Sequence, residues 1–205
     1  MTAELMIMTT IEVAIHPLWV RVCHWINALA ILVMIGSGWQ IYDASPLFGF
    51  EFPKAIALGN WLGGALLWHF AAMWVLVING LVYVTFGLAT GRFRRKLLPI
   101  YPSQVFAEAK AALTFKLAHD DLSHYNAVQK VLYAGVILCG VLIVLSGLAI
   151  WKPVQFQELT ALFGGYNAAR YVHFFAMSAI VGFLVVHVAL ALLVPKSLRA
   201  MIAGK

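Results

Sequence analysis

His173 and His187 lie fourteen residues apart inside one apolar run, from Tyr171 to Val194. In an α-helix that spacing is almost four turns, so both imidazoles leave the same face, about 21 Å apart along the axis. One helix would then present two ligands at two depths. A polar ring at membrane depth is costly unless something inside the bundle satisfies it. Two cofactors stacked across a bilayer would do so, and two more histidines, His24 and His69, sit in apolar runs of their own.

The elements that must carry these rings follow from composition. Hydrophobic residues make up 63 % and charged residues 11 % of the 205, and the mean hydropathy is +0.90; soluble domains hold about 45–50 % and about 25 %. The chain reads as an integral membrane protein whose bulk partner is lipid and not nucleic acid. Four stretches, about 18–42, 58–86, 131–151 and 171–194, are long enough to cross about 30 Å of hydrocarbon as helices. The alternating ten-residue segments of a membrane β-barrel are absent. The expectation is all-α: one domain, residues 1–205, built as a four-helix transmembrane bundle.

The first stretch is kept as a span, not a cleaved signal, because Arg21 and His24 stand near its start and no small-x-small site precedes Asp43. The net charge of +6 then reads as a topology signal. Eleven Lys and Arg lie beside the termini or between spans two and three, against Lys54, Lys152 and Arg170 in the other loops. That asymmetry predicts cytoplasmic termini. Between spans two and three, apolar positions recur at helical spacing over Ser103–Leu117, predicting a short interfacial helix, and the tail after Pro195 reads alike. No internal repeat is evident. Cys23 and Cys139 form no disulfide framework and belong to no C-x-x-C-H attachment sequence.

With the first span running outward and the fourth inward, His24 meets His187 near the cytoplasmic side, and His69 meets His173 near the other. Zinc wants three or four convergent ligands, often with Cys or carboxylate help, whereas each level offers two neutral imidazoles. Haem iron already has four equatorial nitrogens and needs two axial ones. With both taken by protein, it carries electrons instead of binding substrate. Arg21 and Arg170 each precede a ligand by three residues, on its side of the helix and nearer water, where a propionate would point; an interfacial arginine with no partner would look the same. A histidine taken singly is equally well a core ring bonded to a carbonyl.

Just before the third span, His124, Asn126, Gln129 and Lys130 gather donors and titratable groups near the His24/His187 level. A quinone exchanging electrons there needs donors for its carbonyls and a proton route. A solvated loop with a helix cap at Asn126 is the alternative.

Arg21-Val-Cys-His24-Trp25, Gly63-Gly64-Ala-Leu-Leu-Trp68-His69-Phe70, Gly91-Arg92-Phe93-Arg94-Arg95, the His124-to-Lys130 stretch, and Arg170-Tyr-Val-His173 with His187 together resemble a known family. It is the four-helix, di-haem b-type cytochrome subunits of bacterial respiratory complexes, among them nickel–iron hydrogenase cytochrome b, formate dehydrogenase gamma and thiosulfate reductase cytochrome b. The resemblance covers about residues 15 to 195. It implies a bacterial inner-membrane protein with two haem b groups, exchanging electrons between the quinone pool and a periplasmic molybdoenzyme or hydrogenase. With no Cys cluster and no Gly-rich phosphate loop in this chain, substrate chemistry would belong to that partner. Two other readings stay open: a stand-alone b561-type superoxide:quinone oxidoreductase, and a haem-free histidine-bearing transporter.

Overall fold

The computed structural model describes residues 16–113 and 125–204, and every regular element among them is a helix. The four spans are α1 (Leu18–Asp43), α2 (Leu62–Ala89), α5 (Ala127–Trp151) and α7 (Tyr166–Leu193). Short helices fill the connections: α3 (Arg92–Leu97), α4 (Pro102–Leu113), α6 (Gln157–Leu162) and α8 (Pro195–Ala203). Chain reversal between successive spans gives the bundle a termini end, with α3, α4 and α8, and a loop end, with the 44–61 segment and α6.

Three span starts differ from the expectation, each for a local reason. The second begins four residues later than 58, because Gly59 and Asn60 take positive φ (113° and 61°) and turn the chain before Trp61. The third begins four residues earlier than 131, because Asn126 and Gln129 form a capping box: the Asn126 side chain accepts from the Gln129 N–H at 2.7 Å, and Gln129 Oε1 accepts from the Asn126 N–H at 3.1 Å. The fourth begins at Tyr166, directly after Gly164 and Gly165, both at positive φ. The interfacial helix is α4, starting at Pro102; the part expected over 114–117 lies outside the described residues.

Backbone packing is closest within two pairs, α1 on α2 and α5 on α7. The buried side chains of these spans are mostly small: Ala30, Ser37, Ala65, Ala72, Ser146, Ala149, Ala169 and Ala176. Lipid tails are as apolar as leucine, so spans associate by close approach of small residues instead of by expelling apolar side chains from solvent. Leu67, Leu138, Val185 and Leu193 accordingly face outward. Near the termini end, buried Asn79 ties α2 to α1, donating to the Cys23 carbonyl at 2.8 Å and to Asn27 Oδ1 at 2.7 Å.

Across the pairs, contact is made by rings. At the loop end Phe70 meets Trp151 (centroids 5.0 Å apart) and Phe174 meets Tyr42 and Phe48 (5.3 and 5.2 Å). The 44–61 segment folds down over that end, where Phe52 N–H donates to Asp43 Oδ1 at 2.9 Å and Leu58 N–H to the Gly36 carbonyl at 2.9 Å. A Cβ on Gly36 would lie 3.2 Å from Leu58 Cβ, so glycine there sets how closely the segment sits. At the termini end α8 is tied to α1: Arg21 donates to the Ile202 carbonyl at 3.0 Å and Trp25 Nε1 to the Met201 carbonyl at 3.4 Å.

Candidate haem-binding core

The four histidines meet in the two expected pairs. His24 of α1 faces His187 of α7 with ring centroids 5.9 Å apart and planes at 62°; His69 of α2 faces His173 of α7 at 6.5 Å and 58°. An imidazole nitrogen lies about 2 Å from a first-row metal and about 1.2 Å from its own centroid, so two trans axial rings have centroids about 6.4 Å apart. His69 and His173 stand at that separation, and His24 and His187 about 0.5 Å inside it. Among the described residues no cluster of three His, Cys, Asp or Glu exists that would favour zinc. The donor set fits haem iron at both levels.

The arginines behave less simply. Arg21 gives one arm to the Ile202 carbonyl, yet its Nε is buried and, among the described residues, has no hydrogen-bond partner. An orphaned buried donor beside His24 suits an anionic group such as a propionate. Arg170 donates to the Ser45 carbonyl, which ties α7 to the loop that follows α1.

Of the residues expected to meet a quinone, His124 lies outside the described residues. Asn126 and Gln129 are engaged with each other in the capping box, and Lys130 Nζ donates to the Pro99 carbonyl at 3.2 Å. Those side chains hold the start of α5 in place. A different polar group occupies the termini end. Arg92 donates to His16 Nδ1 at 3.3 Å and places its charge beside the Tyr125 phenol, and Tyr125 packs edge-on against Tyr133 at 4.9 Å. Burial, then the Arg92 and Lys96 charges, pull His16 down to about 4, while burial pushes the Tyr125 phenol up against the opposing pull of Arg92. Tyr133 reaches the His187 level through Phe183, which stacks on that ring at 5.4 Å and 15°.

Two residues that the sequence did not flag complete the loop-end level. Ser37 Oγ lies 3.0 Å from His69 Nδ1, and Ser146 Oγ lies 3.1 Å from His173 Nδ1. Each serine is followed by a glycine against which the ring lies: a Cβ on Gly38 would be 3.5 Å from His69 Cε1, and one on Gly147 would be 3.2 Å from His173 Cε1. The same short pattern therefore occurs twice. Ser37-Gly38 on α1 supports Ala65-x-x-x-His69-Phe70-x-Ala72 on α2, and Ser146-Gly147 on α5 supports Ala169-x-x-x-His173-Phe174-x-Ala176 on α7. This corrects the expectation of no internal repeat. Short matches at different offsets, 109 and 104 residues, fall below what a fixed-period reading detects.

The repeat breaks at the termini end. Thirteen residues before the serine stands His24 on α1 but Tyr133 on α5; fourteen after the first histidine stands Tyr83 on α2 but His187 on α7. Imidazoles thus occupy α1 and α7 there, and phenols occupy α2 and α5.

Residues 15–204 match the sequence pattern of the prokaryotic cytochrome b561 family. The chain is 54 % identical over 191 residues, 93 % of its length and 96 % of the relative's, to a putative protein-methionine-sulfoxide reductase subunit YedZ1 of Azospira oryzae. It is 23 % identical over 186 residues, 82 % of its length and 73 % of the relative's, to a probable Ni/Fe-hydrogenase B-type cytochrome subunit of Bradyrhizobium diazoefficiens. With four helices able to cross a bilayer and the family's sequence along almost its whole length, the chain belongs to the prokaryotic cytochrome b561 family, multi-pass electron-transfer proteins of the inner membrane.

Proposed function

We propose that this protein carries electrons across the membrane between a quinone and a redox partner docked at the loop end. His24 and His187 would hold one haem b and His69 and His173 a second. Haem b, when bound, supplies a reversible one-electron couple; held by two imidazoles, it would keep no open position for a substrate. The observation that carries this reading is the pair of cross-bundle histidine contacts at 5.9 and 6.5 Å, both close to trans-axial separation.

The excess of Lys and Arg at the termini end orients that end to the cytoplasm. The loop end then faces the periplasm, with Phe48, Phe50 and Phe156 exposed on it. The Azospira relative is named as a reductase subunit, which favours a docked partner over a stand-alone superoxide oxidant, and a partner acting on protein methionine sulfoxide over a hydrogenase. The resemblance adds that this partner is of the molybdopterin type. For the quinone headgroup, the Arg92–Tyr125 pair with Tyr133 is better disposed than Asn126, Gln129 and Lys130, whose side chains already hold the backbone. Phenol and guanidinium donors suit carbonyl oxygens, and the route to the His187 ring runs through Phe183.

A pyridine haemochrome assay on the purified protein checks the central claim. Two haems per chain are expected, with the spectrum of low-spin b haem. His69→Ala should lower the count to one and keep the termini-end haem. A count of one in the unaltered protein, or loss of both haems from His69→Ala while the protein still inserts, would overturn the pairing.

A further inference from the structure

We propose that Ser37 and Ser146 are positioning residues that lock His69 and His173 in the tautomer presenting Nε2 to iron, and that they hold the reduction potential of the loop-end haem below the value it would have without them. The inference rests on the two-haem reading and adds a role to residues that touch only the ligands.

A serine hydroxyl has a single proton. Ser37 Oγ donates it within its own helix, where the Val33 and Met34 carbonyls lie 2.7 and 3.3 Å away, and Ser146 Oγ does the same toward the Leu142 and Ile143 carbonyls at 2.8 and 3.2 Å. With that proton engaged, each Oγ can only accept from the ring nitrogen beside it, at 3.0 and 3.1 Å. Nδ1 therefore carries the ring proton, and Nε2 keeps the lone pair that a metal takes. Both serines are 0 % exposed, so no solvent competes for the hydroxyl. Gly147, next along its helix, gives the His173 ring room, since a Cβ there would lie 3.2 Å from Cε1, whereas one at Gly38 would make ordinary 3.5 Å contact with the His69 ring.

The arrangement also acts on the metal. A ring N–H that donates makes the opposite nitrogen more basic, and a more basic axial ligand favours the oxidised iron. Because the His69 and His173 rings face each other at 6.5 Å, the two serines would act on one haem iron held between those rings, each through its own ligand. At the termini end, among the described residues, no hydroxyl or carbonyl is hydrogen-bonded to the His24 or His187 ring; those rings rest on Trp25 and Phe183. The two proposed haems would therefore differ in what lies behind the residues holding them, even though all four are histidines.

Potentiometric titration of the full-length protein in nanodiscs, followed at the α-band, tests this, with His69→Ala protein identifying which component is the termini-end haem. Ser37→Ala and Ser146→Ala should each raise the midpoint of the loop-end haem, the double variant should raise it further, and the termini-end midpoint should not move. Ser37→Cys, which keeps a weaker acceptor, should fall between. A haem count of two with the loop-end midpoint unmoved in both single variants overturns the serine role alone; a count below two in the unaltered protein overturns the reading beneath it. Equal movement of both midpoints, or loss of the loop-end haem from the alanine and cysteine variants alike, would mean that the serines pack the helices and do not tune the ligands.

Discussion

Each loop-end histidine lies across a glycine, and the two glycines differ in how much room they leave. A Cβ at 147 would come within 3.2 Å of the His173 ring, and one at 38 within an ordinary 3.5 Å of the His69 ring. Gly147→Ala should therefore weaken retention of the loop-end haem several-fold, measured as haem lost from detergent-solubilised protein to excess apomyoglobin, whereas Gly38→Ala should change it little. The histidines themselves were legible in the sequence, because fourteen residues on one helix is a periodicity internal to that helix. Their depth partners followed from the alternation of span direction. The serines were not legible: a serine in an apolar helix ordinarily bonds its own i−4 carbonyl, as both of these do, and its second partner lies 32 or 27 residues away.

At the scale of elements, the junction between the chain before α1 and the start of α3 depends on a neutral histidine. His16 accepts from Arg92 through Nδ1, and burial with the neighbouring Arg92, Lys96, His24 and Arg21 holds its pKa at about 4, below the ordinary 6.5. Between those values an unfolded chain binds a proton that the folded one refuses, so this contact's contribution is complete above about pH 6.5 and declines as the pH falls toward 4. Thermal unfolding of solubilised protein should show a lower Tm at pH 5 than at pH 7.5, and His16→Gln should flatten part of that dependence. The spans were legible from hydropathy, but their starts were not. Those were decided by backbone chemistry, by positive φ at Gly59, Asn60, Gly164 and Gly165 and by the Asn126–Gln129 box, which averaging over apolar windows cannot register. The same box explains why residues that looked suited to a ligand proved to be engaged with their own backbone.

On the scale of the whole molecule, charge asymmetry predicts the orientation. A C-terminal fluorescent-protein fusion should fluoresce in intact cells and an alkaline phosphatase fusion at the same site should be inactive; the reverse pattern would invert the bundle. The family and the four-span architecture could be read from end to end of the chain, because hydropathy and ligand spacing are both one-dimensional signals. The doubled hairpin could not, since its two copies share only a handful of small residues and one ring type. That doubling bears on how the protein can be made. Each hairpin, α1 with α2 and α5 with α7, is a self-contained packing unit, yet each facing histidine pair draws one imidazole from each. On the two-haem proposal, ownership of both irons would be split down the middle: neither half of the chain expressed by itself should become coloured, and pigment should appear only where the two halves have found each other in the same bilayer.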